Sequence, residues 1–521
     1  MSPQETSSRP LVNPWIIAIT VMLSTFLEVL DTSVVNVSLP HIAGSLSATI
    51  DEATWVLTSY LVANAIVLPI TGWLANQFGR KRLLILAVAG FTTTSFLCGI
   101  APTLPMLVLF RVLQGATGGA LQPISQAILL ETFPPQDRGK AMAFWGLGIV
   151  VAPILGPTLG GWLTDAYSWR WVFYINLPIG IASILMTKWF IFDPKYIRPR
   201  GGKVDFWGLG MLAVGISALQ IMLDKGQEAD WFSSNYIIVL CGVAVVLLTA
   251  FVIWELRVKD PIVHLSVFKD RTYATGVFLM TLLGFVLYGS LVLLPIFLQT
   301  LLGYTAVAAG IWTAPRGLGA MLFMPITGLL LSRKWDPRIL LAIGLLTGAW
   351  SLYAFSGFNL SSGTWDIFWP QIIQGMGMAF IFVPLTTVTM DPVPNSEMGN
   401  ATSLFNLMRN LGAGAGISSV TTFVARRGQF HQSRLGEQIT ASSPGARHTL
   451  AGMQALLMRH GADAATAARQ AMGMLYGLVQ QQAALLSFIE AFWLLATIFL
   501  LMAPLVVIMR RPKHGRAMAA H

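Results

Sequence analysis

Glu28 and Asp31 are two carboxylates inside an apolar run that opens near Trp15. They belong to the stretch Glu28-Val29-Leu30-Asp31-Thr32-Ser33-Val34-Val35-Asn36-Val37-Ser38-Leu39-Pro40. An ionisable group in such a run costs about 2.5–3.5 kcal/mol on insertion scales and marks a functional site by default. A spacing of three puts both acids on one helix face. Each carboxylate disfavours the other's charge and burial disfavours both, a setting that suits a group taking up and releasing protons. Asp31 is flanked by polar Thr32, Ser33 and Asn36. Arg111, in Leu109-Phe110-Arg111-Val112-Leu113-Gln114-Gly115, is a guanidinium in another apolar run. At that depth it needs a carboxylate or carbonyl partner, and Asp31 and Glu28 are the candidates. Arg316, Arg409 and Glu490 are embedded in apolar runs farther on. They read equally as helix-end anchors and as functional groups.

The elements that carry these charges follow from composition. The 521 residues are 55% hydrophobic and only 11% charged, against roughly 25% charged in a soluble domain. A chain this poor in charge cannot cover itself against water, so an all-α membrane protein is expected. The net charge of +10 is then a question of which loops hold Lys and Arg, rather than of nucleic-acid binding. Cys98 and Cys241 both fall in apolar runs and the seven histidines are scattered. Neither a disulfide framework nor a metal site is expected. The first apolar run reads as an uncleaved span rather than a signal peptide.

Apolar windows of about 20 residues predict about fourteen transmembrane helices. They lie near 14–37, 53–75, 83–101, 105–130, 140–163, 169–190, 205–223, 235–256, 272–297, 305–331, 338–357, 367–389, 399–423 and 485–509. The runs are continuous, not alternating, which excludes a barrel. One set of loops carries the positive charge: Arg80-Lys81-Arg82, Arg138 and Lys140, then Lys195, Arg198, Arg200 and Lys203. It continues with Lys259, Lys269 and Arg271, then Arg333, Lys334 and Arg338, and the tail Arg510, Arg511, Lys513 and Arg516. The alternate loops hold little apart from Lys225 and Arg170. The bias places both termini in the cytoplasm. The segment 424–484 falls on the opposite side. Its second half has apolar residues at helical spacing, Leu450, Met453, Leu456 and Leu457, then Met472, Leu475 and Val479, with Gly461 between.

An internal repeat is visible. Pro69-Ile70-Thr71-Gly72 recurs as Pro325-Ile326-Thr327-Gly328, and Arg82 recurs as Arg338, at an offset of 256. Gln114-Gly115 recurs as Gln374-Gly375, and Gly139 with Ala141 as Gly399 with Ala401, at an offset of 260. The expected organisation is a six-helix bundle over 1–190, two inserted transmembrane helices with flanking loops over 191–270, and a second six-helix bundle over 271–521. The long segment 424–484 belongs to the last. Parallel six-span repeats are a transporter architecture.

Several residues are expected to move the halves. Gly72 permits close helix approach and Gly79 a tight turn. Arg80 and Arg82 can then latch onto carboxylates or helix C-termini of the neighbouring bundle. In the fifth span, Gly148-Ile149-Val150-Val151-Ala152-Pro153-Ile154-Leu155-Gly156-Pro157-Thr158-Leu159-Gly160-Gly161 combines prolines that bend a helix with glycines that let another pack closely. Gly156, Pro157, Gly160 and Gly161 therefore read as a seam on which two bundles rock.

Leu30–Pro40 resembles the LDxTxxNVALP motif of the fourteen-span drug:proton antiporters of the major facilitator superfamily. The 72–82 loop resembles the superfamily's cytoplasmic loop motif, Arg111–Gly115 its fourth-helix motif, and Gly148–Gly161 the GPxxGG antiporter signature. The resemblance spans nearly the whole chain. Ser33, Asn76 and Ala152 depart from it, and Glu28 is an extra acid that would favour cations. The resemblance implies exchange of inward-moving protons for outward-moving lipophilic compounds, with protons as coupling ion and no other cofactor. It implies an inner-membrane pump that hands substrate to a periplasmic adaptor of the EmrA type and a TolC-like outer-membrane channel. The runner-up is a proton-coupled exporter of one metabolite class, such as a siderophore or fatty acid. An enzyme would need a base–nucleophile pair or a metal cluster, and a channel would need rings of like charge or a repeated filter. The sequence has none of these.

Overall fold

The computed structural model describes residues 13–193, 205–258, 261–440 and 442–509. The cationic positions Lys195, Arg198, Arg200, Lys203, Lys259, Arg510, Arg511, Lys513 and Arg516 lie outside them. Helices form where the apolar windows were, and their ends are set by local chemistry. Asn13 caps the first, accepting from Trp15 N at 3.0 Å, with Pro14 at the first helical position. Asp270, Asp336 and Asp463 cap later helices in the same way.

The first six long helices are α1 (Pro14–Ser45), α2 (Ile50–Phe78), α3 (Arg80–Ile100), α4 (Leu104–Thr132), α5 (Arg138–Ala166) and α6 (Trp171–Phe190). Then come α7 (Phe206–Lys225) and α8 (Asn235–Glu255). The remainder are α9 (Arg271–Thr300), α10 (Val307–Ser332), α11 (Pro337–Phe355), α12 (Thr364–Met390), α13 (Met398–Gln438), α14 (Pro444–Arg459) and α15 (Ala464–Ile508). Thirteen of them are long and apolar enough to cross a membrane among the described residues. The expected span at 399–423 is the exception. It lies in α13, whose polar residues Asn400, Thr402, Ser403, Asn406 and Arg409 are all buried. Held between α9, α2, α4 and α15, α13 needs no apolar surface toward lipid.

Within the first half α1 packs on α5, α4 and α6, and α4 on α2 and α3. Within the second, α9 packs on α13, α10 and α11 on α12, and α15 on α11 and α13. The halves meet where α5 touches α10 and α12 and where α13 touches α2 and α4. Helices α7 and α8 pack on each other, and α7 also lies against α2 and α13. The two cations that broke the loop-charge pattern are both tied down. Lys225 Nζ lies 2.8 Å from Glu228 and from Thr54 Oγ1, and Arg170 donates to the Ala101 carbonyl at 3.1 Å and lies over the Trp169 ring.

The segment 424–484 is not a separate unit. Helix α13 runs on to Gln438, and α15 begins at Ala464 and continues without a break into the last span. Only α14 is new. It ends at Arg459, and the chain turns at Gly461, whose φ of +94° only glycine adopts readily. Helix α14 then packs on α15, where Ala467 and Ala471 are fully buried.

Candidate functional site

Asp31 and Arg111 meet in the middle of the first half, both fully buried. Arg111 Nη1 lies 2.6 Å from Asp31 Oδ2. The other carboxylate oxygen, Oδ1, accepts from Gln114 Nε2 at 3.0 Å and from Asn176 Nδ2 at 2.6 Å. Arg111 also donates to Gln114 Oε1 at 2.8 Å and to the Val56 carbonyl at 3.0 Å, and its guanidinium sits 4.2 Å from the Tyr60 ring centroid. Four helices, α1, α2, α4 and α6, thus converge on one ion pair, with α4 and α6 on the carboxylate and α2 on the guanidinium. Such a pair withstands burial because its charge is compensated and most of its polar atoms are bonded; Arg111 Nη2 and Asn176 Oδ1 have no partner among the described residues. The Cβ that any other residue would bring to Gly115 would meet the Tyr60 carbonyl, so this glycine sets the approach of α4 to α2.

Glu28 takes a different partner from Asp31. Asn64 of α2 donates to its Oε1 at 2.8 Å, while Oε2 has no partner among the described residues. Gln122 of α4 lies beside it and accepts a hydrogen bond from Arg409 of α13. The two first-helix acids are therefore each associated with a different arginine, one from the same half and one from across the seam. Asn36 is exposed and stands outside both clusters.

The polar seam continues along α13. Asn406 Nδ2 donates to Gln126 Oε1 at 2.7 Å, and Thr402 Oγ1 donates to the Pro123 carbonyl at 3.0 Å. Farther along, a Cβ at Gly72 would lie 2.6 Å from the backbone of Asn400. On the other seam a Cβ at Gly328 would lie 3.1 Å from the Gly139 carbonyl, and the Trp145 and Phe382 rings stack at 6.1 Å. These contacts lie toward the loops at 79, 133–137, 333–336 and 391–397, which alternation of the spans puts on one side of the bundle.

The expected latch works differently. Arg80 is buried and pairs with Glu131 of α4, in its own half. Lys81 donates its backbone N to Asp193, just beyond α6, and its Nζ to the Lys188 carbonyl of α6 in its own half, and Arg82 is exposed. Gly79 has φ +82°, and a Cβ there would lie 2.8 Å from Asp193 Oδ2. Contact with the other half comes through Gly72 and through Arg80, whose Nη2 would lie 3.8 Å from a Cβ at Gly399 of α13. The fifth-span glycines are likewise not at the seam: Gly156 packs on Ser33 and Gly160 on Val34, so they join α5 to α1. Gly161 faces open space. Pro157 lies in the same stretch of α5, its side chain outside the described residues. In the second half Glu490 pairs with Arg427 and, at 3.0 Å, with His431, while Arg316 donates to Gln371 at 3.1 Å.

Asn176, Asn64 and Gln122 were not singled out from sequence. Each is one amide in an apolar span, and that alone was the available signal.

Two bundles of parallel repeats around buried charge define a membrane transporter, and the comparisons agree. The sequence profile of the Major Facilitator Superfamily matches residues 21–417. The chain belongs to that superfamily. It is 41% identical over 494 residues to the fatty acid resistance protein FarB of Neisseria gonorrhoeae, covering 95% of each chain. It is 39% identical over 511 residues to the multidrug export protein EmrB of Escherichia coli strain K12, covering 97% of each. Among solved structures, a double-tryptophan mutant of XylE superposes with a TM-score of 0.64 at 15% identity, covering 96% of this chain and 97% of that one.

Proposed function

We propose that this protein is a proton-coupled antiporter that exports lipophilic drugs by alternating access. The observation that carries the reading is Asp31, a fully buried carboxylate held by Arg111, Gln114 and Asn176. A carboxylate at that depth marks a functional site, proton relays among them, and the motif around it resembles that of drug:proton antiporters. Similarity to the export protein EmrB over nearly the full length supports drugs as cargo. In this reading the two halves rock about the seam formed by α2, α4, α5, α10, α12 and α13. The cationic loops and both termini face the cytoplasm, and the membrane is the bacterial inner membrane. The partners are an adaptor of the EmrA type and a TolC-like outer channel. The surface offered to the adaptor is the extension of α13, α14 and α15, where Leu456, Met458, Met472, Met474 and Tyr476 are exposed.

Proton-driven uptake of labelled lipophilic compounds into everted vesicles tests the proposal. Wild type should accumulate them when the vesicle interior is acidified, and Asp31→Asn should not. Equal accumulation by Asp31→Asn would refute it. A second reading, export of one metabolite class such as a siderophore or fatty acid, is favoured by the 41% identity to a fatty acid resistance protein. A binding panel of lipophilic cations against anionic metabolites separates the two.

A further inference from the structure

The two halves repeat one packing arrangement with one charge missing. In the first, Gly115 sits against the Tyr60 carbonyl, Arg111 one turn earlier lies over the Tyr60 ring, and Gln114 donates to Asp31. In the second, Gly375 sits against the Arg316 carbonyl, Gln371 one turn earlier accepts from Arg316 Nε, and Gln374 donates to Ser290 at 3.2 Å. The matched positions keep the repeat offsets, 256 for Tyr60 with Arg316 and 260 for Gly115 with Gly375. The cation has moved from the fourth-helix position to the second-helix position. A hydroxyl, Ser290, receives the glutamine where the first half has a carboxylate.

Arg316 is only 7% exposed, and a guanidinium does not shed its charge in a protein. No Asp or Glu occurs from 271 to 332, from 337 to 365, from 367 to 390 or from 398 to 436. Asp366 stands in the exposed first turn of α12, accepting from Gly363 N, and Glu490 is engaged by Arg427 and His431. The other acids after 271, Asp336, Asp391, Glu397, Glu437 and Asp463, lie in loops, at a helix cap or in the outer extension, and no carboxylate pairs with Arg316 among the described residues. Arg316 Nη1 and Gln371 Nε2 are both buried without an acceptor there. The amide cannot turn to hide this, because its oxygen already serves Arg316 Nε. Two donors and one positive charge without an anion are the complement of an oxyanion.

We propose that Arg316 and Gln371 form the binding site for the anionic head group, a carboxylate or an oxyanion of like geometry, of an amphipathic substrate. The inference rests on the reading of the chain as an exporter of lipophilic compounds. When the halves part to admit substrate, the head group supplies in the second bundle what Asp31 supplies in the first.

The test uses the full chain in phosphatidylcholine nanodiscs, with 1-pyrenebutyrate and its neutral amide as fluorescent probes. Wild type should bind the acid at least about tenfold more tightly than the amide, a difference of about 1.4 kcal/mol. Arg316→Gln should bring that ratio near one. Gln371→Glu places a carboxylate beside Arg316, and should also bring the ratio near one while raising Tm. A ratio near one in wild type overturns the proposal. So does a folded variant in which both probes weaken by the same factor, the mark of a structural role. Phosphatidylglycerol added to the discs separates substrate from lipid. If it suppresses acid binding to wild type tenfold, the occupant is a lipid headgroup and the assignment falls; unchanged binding supports it. Proton-driven uptake of a neutral lipophile by wild-type proteoliposomes is read separately. Its absence removes the exporter reading whatever the binding ratio shows.

Discussion

Asp31 accepts three hydrogen bonds at zero exposure, so a proton reaches it only if Arg111 and the amides give way. Asp31→Asn removes the charge but leaves Arg111 buried and uncompensated, which costs about 3–5 kcal/mol. The variant should still insert, lose proton-coupled export, and unfold at a lower temperature than wild type. Asp31→Asn/Arg111→Gln should recover most of the lost Tm and none of the transport; a double variant no more stable than the single one would argue against a paired role. Arg111→Lys should rescue only partly, since the planar fork that serves both Asp31 and Gln114 is lost. Glu28→Gln should reduce export of lipophilic cations more than of neutral compounds, in vesicle uptake compared side by side; equal reduction would remove Glu28 from substrate selection. The Asp31–Arg111–Gln114 constellation was legible because charges in apolar runs are few. The separation of Glu28 from Asp31 was not. Three residues advance a helix by about 300°, so the two side chains diverge by about 60°, enough to meet different neighbours. Only the positions of Asn64, Gln122 and Arg409 reveal which.

At the scale of helices, the glycines sort by what they touch. A Cβ at Gly72 meets the backbone of Asn400, which cannot rotate away. Gly72→Val should force α2 from α13 and hold the cationic side open. Spin labels at exposed Arg82→Cys and Arg333→Cys should then report a longer distance than in the wild-type background; an unchanged distance would show that the seam yields elsewhere. Gly161→Ala, facing open space, should be neutral in the same assay and in Tm. Sequence marked all of these as packing glycines but carried no record of the partner helix, so Gly156 and Gly160 were assigned to the seam when they join α5 to α1; Ile154 of the same run does meet Gly317 of α10 across it. The outer extension was legible as helix from its apolar spacing, yet its continuity with two spans was not, because the fall in hydropathy past 423 and before 485 looks the same whether a helix stops or runs on out of the bilayer. Replacing 426–482 by a short flexible linker should leave insertion and drug binding intact and break export across both membranes. Retained resistance together with co-purified adaptor would refute docking there.

Across the whole molecule, the repeat and the apolar windows made the two-bundle architecture legible, since both are properties of long stretches rather than of single residues. Charge neutrality was not, because it is shared between helices far apart in the chain. The first bundle closes its books internally at Asp31 and Arg111, whereas Arg409 reaches across to the first and Arg316 stands without a carboxylate. Helix α13 carries a consequence for how the chain is made. An arginine at the centre of a lone helix opposes transfer from the translocon into lipid by about 2.5–3.5 kcal/mol, and α13 adds four buried amides and hydroxyls to Arg409 within its first three turns. Its apolar side chains are interspersed with these groups, and among the described residues it is not one of the helices apolar enough to cross a membrane. Insertion must then wait until α9, already in the membrane, and α15, not yet synthesised when α13 emerges, can receive it. A chain ending after Ala425 should leave α13 on the ribosome side, reached by a membrane-impermeant maleimide at Ser418→Cys, while the full-length chain protects that position. The last helix to be translated would thus be the one that commits the thirteenth to the bilayer.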